Sequence, residues 1–492
     1  MKKAALFAIL VMLLAVLTSC SGIDGGYFSP GAFNDVVDAN GNYNYEDIIE
    51  NDFVSTTQTA TSYFSLDRNT AAYALMRKQI TDGLTVNKNS VRLEDYINYF
   101  NYDYARPQDA ALALSGSVFD CPWNTEHKLF TIGVAAEEVA FQTVKPNNIV
   151  FLIDTSGSMY GEDRLGLIQQ SFTMLLEYLN DGDTISIVTY AGDSRVALDG
   201  ARGTEKVKIA NVLQDLEANG STNGQGGIEK AYALAEKYFN KEGNNRVILA
   251  TDGDFNVGVS SKEGLKKLIS SKRDNGVYLT VLGVGMGNTN DVTMKTLAEN
   301  GNGNYAYLDT VSEARKVLVE ELNGTFNVVA KDAKIGVTFN ADVVENFRLI
   351  GYESRMMSQE EFDDEKKDAG EIGSGHTVTA VYEITLKDNA EGEIATAEVR
   401  FKAPDTDEAK TVAKTYLTSD YAQTVTEDGA FISCVVEYGL VLRESQYKND
   451  ASFTSVIERL ESLQCVNSDP FKAEFLEIVK KANETYAKNG GK

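Results

Sequence analysis

The sequence predicts an α/β protein with a doubly wound, mostly parallel sheet, flanked by a β-sandwich-like domain and a C-terminal helical region. Short apolar, β-branched runs alternate with helical patterns, which is typical of parallel strands covered by helices. These runs lie at 148–153, 184–190, 246–251 and 277–284. Residues 110–136 and 332–402 instead alternate with a period of two, as half-buried strands do.

The N-terminus predicts export and lipid anchoring. Lys2 and Lys3 precede an apolar run from Ala4 to Leu17, so residues 1–19 are predicted to be a signal peptide. Leu17-Thr-Ser-Cys20 resembles the lipobox of bacterial lipoproteins, with Cys20 as the lipidated first residue. The alternative is an ordinary secretory signal or a short anchor helix. Residues 20–55 are rich in Gly, Asn and Asp and predict a flexible tether.

The remaining chain divides by pattern into an N-terminal flank with helices and strands, the α/β unit, a β-rich flank and a helical end. The predicted bounds are 56–146, 147–323, 330–415 and 416–492. Helical patterns at 69–81 and 91–100 open the first flank, and a helix from Val311 to Leu322 closes the α/β unit. Because strand patterns lie on both sides of the α/β unit, we expect one β-sandwich into which that unit is inserted.

Composition excludes several functions. With 46 basic and 72 acidic residues the net charge is −26, which disfavours binding to nucleic acid. Two histidines, without a nucleophile motif beside them, do not predict a zinc hydrolase or a Ser-His-Asp triad.

Three polar loops follow the strands or precede the helices of the α/β unit. Asp154-Thr-Ser-Gly-Ser158 follows the first apolar run, Gly220-Ser-Thr222 precedes a helix, and Asp252 follows another apolar run. Ligands bind at the carboxyl ends of the strands in such sheets, and hydroxyl and carboxylate oxygens suit Mg²⁺, or Mn²⁺ or Ca²⁺. Ordinary turn chemistry is the alternative, but it explains one loop and not three.

The order Asp-x-Ser-x-Ser, then Thr, then Asp resembles the metal-ion-dependent adhesion site of the von Willebrand factor type A (VWA) domain. The resemblance implies that Ser156 and Ser158 bind the cation directly and that Thr222 binds it directly or through water. Asp154 and Asp252 would hold bound waters. An open coordination position would then accept an Asp or Glu side chain from a protein partner.

A longer resemblance covers most of the mature chain. Segments including Ser90–Phe100, Pro122–Asn124, Phe151–Met159, Asn302–Tyr307 and Leu349–Glu353 are similar to bacterial YfbK-type lipoproteins with a VWA domain. Cys434 and Cys465 depart from that pattern. In an oxidising compartment they are expected either to form a disulfide or to remain two buried thiols.

The predicted function is metal-dependent protein binding or adhesion by a lipoprotein anchored on the extracytoplasmic side of a membrane in the cell envelope. One alternative is a structural envelope protein with a stabilising metal, and another is a metal-dependent phosphohydrolase. The hydrolase is disfavoured because Ser156 stands where an aspartyl phosphatase of the haloacid-dehalogenase type needs a second acid. We therefore expect no enzymatic activity.

Overall fold

A computed structural model describes Tyr45 and residues 47–139, 145–222, 224–253, 262–286, 291–321, 324, 327–404, 406–422 and 424–489. Cys20, the predicted signal peptide and most of the predicted tether lie outside these residues. Within the described ranges, no helix has the length and apolar character needed to cross a membrane.

The strands are β1 (Val54–Ser55), β2 (Thr61–Ser65), β3 (Leu112–Asp120), β4 (Lys128–Ala136), β5 (Asn147–Asp154), β6 (Thr184–Tyr190), β7 (Ser194–Arg202), β8 (Asn244–Thr251), β9 (Val277–Val284), β10 (Tyr305–Leu308), β11 (Val328–Phe339), β12 (Val344–Ile350), β13 (Gly370–Gly373), β14 (Thr377–Leu386), β15 (Glu393–Lys402) and β16 (Ala409–Leu417). The helices are α1 (Ala71–Thr81), α2 (Leu93–Asn98), α3 (Leu165–Leu175), α4 (Lys206–Gln214), α5 (Gly224–Lys237), α6 (Lys262–Asp274), α7 (Asp291–Asn300), α8 (Val311–Arg315), α9 (Gln359–Asp363), α10 (Glu427–Leu442), α11 (Phe453–Ser462), α12 (Gln464–Ser468) and α13 (Pro470–Asn489).

Strands from both flanks share a two-sheet sandwich. One sheet has the order β1-β12-β14-β4-β3, and the other has the order β13-β11-β15-β16, with β2 also pairing with β11. β4 precedes the α/β unit in the chain and β14 follows it, yet they pair along their length, from Ala135↔Thr377 to Lys128↔Ile384. This pairing confirms that the α/β unit is an insertion in the sandwich.

The inserted unit contains a six-stranded sheet with the order β10-β9-β8-β5-β6-β7. All its neighbouring strands are parallel except β6 and β7. All eight residues of β5 are buried, because α3, α4 and α8 cover one face of the sheet, while α1, α5, α6 and α7 cover the other. The predicted α/β fold is confirmed, although β7 and β10 were not anticipated.

A third core joins the N-terminal flank to the C-terminal helices. It contains Tyr73 of α1, Tyr96 of α2, Phe100 just after α2, Phe475 of α13, and Trp123. The rings of Phe100 and Phe475 lie 5.5 Å apart. The aromatic side chains of Tyr96 and Phe100 therefore serve packing between the N-terminal flank and the C-terminal helices.

Three predicted boundaries need correction. The C-terminal helices begin at Glu427 and not at 416, because residues 409–417 form the edge strand β16. The helix predicted to end at Leu322 is α8 followed by a π-helical turn, Lys316–Glu320. The last residues of the predicted tether are anchored, since the Asn51 side-chain amide donates to the Leu349 carbonyl over 3.1 Å.

Of the two alternatives expected for Cys434 and Cys465, the structure shows free thiols and not the disulfide. Cys434 lies in the core on α10, and Cys465 is half-buried at the start of α12. Burial raises the pKa of the Cys434 thiol to about 12, so it remains protonated and packs as a small apolar side chain.

A buried ion cluster connects α8 to both neighbouring helical segments. The Arg77 guanidinium on α1 lies 2.6 Å from Asp309, 2.7 Å from Glu313 and 2.9 Å from Glu474. The Tyr99 hydroxyl also donates to Glu313, over 2.7 Å. The Arg77 guanidinium thus forms ion pairs with carboxylates from the end of the α/β unit and from α13.

We predict that Arg77→Ala destabilises the protein by about 3–5 kcal/mol, because it leaves buried carboxylates without their counter-charge. Lys78→Ala is the matched control: its exposed pair with Asp82 is expected to contribute less than about 1 kcal/mol. The fluorescence of Trp123, the only tryptophan, reports urea unfolding of the helical core. Equal urea midpoints for the two variants would contradict the prediction.

Candidate metal-binding site

The first predicted loop turns sharply at the carboxyl end of β5. Asp154 ends the strand and is fully buried, and its Oδ1 accepts the Ser156 backbone N–H over 2.8 Å. A short 3₁₀ turn, Gly157–Met159, follows. This turn places the Ser156 and Ser158 hydroxyl oxygens 3.0 Å apart.

The second loop is hydrogen-bonded to the first by the backbone. The Gly157 N–H donates to the Gly220 carbonyl over 2.9 Å, and the Asn219 N–H donates to the Thr155 carbonyl over 2.8 Å. Gly220 has a φ of +85°, a conformation that glycine adopts without strain. Thr222, two residues further on and half-buried, therefore lies on a loop fixed directly to the one that carries the serines.

The third loop reaches the same carboxylate. The Thr251 hydroxyl donates to Asp154 Oδ2 over 3.2 Å and accepts the Gly253 N–H over 3.2 Å. Asp252, between them, is 1 % exposed. Both oxygens of Asp154 are thus engaged by the chain, which suits a supporting role better than direct metal contact.

Two buried carboxylates give the site a distinct electrostatic character. Burial raises the pKa of Asp154 to about 6, and the negative charge of Asp252 acts in the same direction. Hydrogen bonds from Ser156 oppose this shift. The ionised form of Asp154 is therefore unfavourable, and a nearby positive charge would relieve it.

The donor set fits a small divalent cation. Magnesium–oxygen distances of about 2.0–2.1 Å place neighbouring octahedral ligands roughly 2.9 Å apart, and the two serine oxygens are 3.0 Å apart. In the described part of the chain, no group of three or more His, Cys, Asp or Glu side chains is arranged to hold a metal. Hydroxyl ligands, and not a carboxylate cluster, would therefore have to form such a site.

Thr251 is the supporting residue that the sequence prediction missed. A signal was present, because this polar side chain ends an apolar strand immediately before Asp252. Tyr190 was also missed: its carbonyl accepts the Thr155 N–H over 2.9 Å and holds the first loop to β6.

Comparison with known families gives matches along most of the chain. Residues 148–322 match the von Willebrand factor type A domain. Residues 324–392 and 386–485 match the family described as "Uncharacterized protein YfbK, C-terminal", and residues 39–131 match one described as "von Willebrand factor".

The chain is also similar to individual proteins. The chain is 35% identical over 470 residues to "Uncharacterized protein YfbK" of Escherichia coli (strain K12), which covers 90% of this chain and 81% of that protein. "Inter-alpha-trypsin inhibitor heavy chain H4" of Sus scrofa is 30% identical over 167 residues, covering 32% of this chain and 18% of that protein. A solved structure, "von Willebrand factor type A from Catenulispora acidiphila", is 13% identical with a TM-score of 0.43, covering 78% of this chain and 87% of that one.

We predict that Asp154→Asn stabilises the protein in the presence of EDTA by about 1–2 kcal/mol at pH 7.5, because it removes a buried charge. The folded-state pKa of about 6 lies above the ordinary 3.8. The destabilisation of the wild-type protein is therefore absent below about pH 4, grows as pH rises, and is complete above pH 6.

Urea unfolding at pH 7.5 and pH 4.5 measures this effect. Asp215→Asn removes an exposed charge from the same domain and is expected to change stability by less than about 0.5 kcal/mol. If Asp154→Asn raised the free energy of unfolding by as much at pH 4.5 as at pH 7.5, the buried charge of Asp154 would not be the cause.

Proposed function

Because the chain belongs to the YfbK family of proteins with a von Willebrand factor type A domain, we propose that it binds a protein partner through a divalent cation. Ser156, Ser158 and Thr222 would hold the cation, and Asp154 and Asp252 would support it. Domains of this type often mediate protein–protein interaction or adhesion. The proposal applies that general role to a specific set of residues.

The observation that carries the proposal is the pair of serine hydroxyls on a loop braced by a buried carboxylate. Their 3.0 Å separation suits two neighbouring ligands, and Asp154 fixes the loop through the Ser156 N–H. A divalent cation bound by neutral hydroxyls would remain short of negative charge and would accept a carboxylate from another molecule. The partner would therefore present an Asp or Glu side chain.

The surroundings of the site support a protein partner. Tyr160 lies two residues beyond Ser158 and is 80 % exposed. Exposed aromatic side chains are common anchors of protein interfaces, because they bury a large area with little loss of conformational entropy.

We predict that Mg²⁺ binds the full-length protein at one site and that Ser156→Ala weakens binding at least about tenfold, since it removes a ligand. Isothermal titration calorimetry measures the affinity. Thr222→Val is expected to weaken it as well, whereas Ser221→Ala, at the exposed neighbouring position, serves as the matched control. Equal Mg²⁺ affinity for wild type, Ser156→Ala and Ser221→Ala would refute the site.

We also propose that Cys20 anchors the protein by lipidation on the extracytoplasmic side of a membrane. The support is the sequence Leu17-Thr-Ser-Cys20 after an apolar run, and acyl chains hold a protein on a membrane without a spanning helix. Labelling of cells with an alkyne fatty acid should mark the wild-type protein and leave Cys20→Ala unlabelled. Equal labelling of the two would disprove the anchor.

A further inference from the structure

A groove of about 470 Å³ lies beside the proposed cation site. Its walls are the turn between β6 and β7 and the loop that leads to Thr222, and its lining includes Thr155, Gly192, Asp193, Arg195, Glu217 and Asn219. Thr155 stands between Asp154 and Ser156, and its carbonyl accepts the Asn219 N–H. The groove and the proposed cation site therefore share a backbone wall, and one partner segment can occupy both.

The groove is accessible. Asp193, Arg195 and Glu217 are exposed. The groove lies at the β7 end of the six-stranded sheet, whereas α1 of the N-terminal flank packs beside β10 at the opposite end. The packing of α1 thus lies at the far end of the sheet from the groove, and it leaves Asp193, Arg195 and Glu217 exposed among the described residues.

The charged side chains of the groove indicate which kind of side chain it would bind. Asp193 on one wall and Glu217 on the other form no ion pair with any residue that the structure describes. Arg195 contributes one positive charge, so the three charged side chains of the groove are negative in sum. A basic side chain between the two carboxylates is favoured, and an acidic one is repelled.

The net charge of the chain leads to the same conclusion. A partner must bring a carboxylate to the cation, yet a chain with a net charge of −26 repels acidic surfaces at long range. A basic residue next to that carboxylate offsets the repulsion and meets a complementary groove.

We propose that this groove receives a lysine or arginine side chain that neighbours, on the partner, the acidic residue directed to the cation. This inference rests on the proposed function, because the carboxylate at the cation positions the basic neighbour. The preferred partner surface is therefore an acidic residue flanked by basic ones, and not an acidic cluster.

The test uses four immobilised glycine-rich peptides, with Lys-Asp-Lys, Ser-Asp-Ser, Glu-Asp-Glu or Lys-Asn-Lys at the centre. Capture of the full-length protein is measured with Mg²⁺ and with EDTA. With Mg²⁺, we expect Lys-Asp-Lys to capture at least about threefold more protein than Ser-Asp-Ser, because exposed charge pairs contribute a modest free energy of this size. Glu-Asp-Glu should capture less protein than Ser-Asp-Ser. Asp193→Asn combined with Glu217→Gln should abolish the preference for Lys-Asp-Lys over Ser-Asp-Ser.

A matched double variant, Glu242→Gln with Asp274→Asn, removes the same charge from exposed positions before β8 and β9 and should keep the preference. The inference fails, and the proposed function stands, if Asp peptides bind with Mg²⁺ but Lys-Asp-Lys captures no more protein than Ser-Asp-Ser. The same conclusion follows if the preference for Lys-Asp-Lys persists in the Asp193→Asn, Glu217→Gln variant. If no Asp peptide is captured in a Mg²⁺-dependent way, the proposed function fails and the inference with it.

Discussion

The pairing of β4 with β14 is the constraint on which the arrangement of this protein depends. These strands lie on either side of the α/β unit in sequence, yet they are hydrogen-bonded neighbours. The sandwich therefore forms only if the two ends of the inserted unit are close together, and a doubly wound sheet can satisfy that requirement. The inserted unit enters at β5, which becomes the centre of its sheet, and Asp154 comes to lie at the carboxyl end of that central strand.

The junction between the inserted unit and its flanks is polar, although it is buried. Arg77 holds carboxylates of Asp309 and Glu313 from the end of the α/β unit, and the side chain of Arg68 pairs with Glu321 over 2.7 Å. Burial lowers the pKa of Lys316 in the same region to about 8. Charged contacts of this kind add less stability than apolar packing would, but they are directional, so they define how α8 sits against α1 and α13.

The sequence predicted best those elements whose environment is uniform along their length. β6 and β9 have the predicted bounds, 184–190 and 277–284, because strands buried on both faces appear as continuous apolar runs. β16 was not anticipated as a separate strand, since nearly all its side chains are exposed and an edge strand with Lys410 and Lys414 shows no apolar face. The sequence left the pairing of Cys434 and Cys465 open for another reason: the distance between them depends on helix packing, which spacing in sequence does not determine.

The residues of the candidate site and its groove also differ in whether the sequence alone can predict them. Asp154, Ser156 and Ser158 belong to one short loop, and their spacing suffices to suggest shared chemistry. Asp193 and Glu217 are separated by a strand and a helix, and they line one groove only because the loop at Asn219 is hydrogen-bonded to Thr155. Such long-range contacts are set by backbone geometry, so the groove can be recognised only from the fold, whereas the candidate metal-binding loop is already visible in the sequence.

The burial of Asp154 beside Asp252 is hard to explain by stability. A carboxylate whose pKa is raised by burial opposes folding at neutral pH, and an asparagine could accept the same Ser156 N–H. The structure nevertheless commits two hydrogen bonds, from Ser156 and Thr251, to hold this carboxylate in place. An arrangement that is unfavourable by itself and carefully oriented is typical of a binding site, because the compensating positive charge arrives with the ligand. A turn that served only the fold would have no reason to keep the charge.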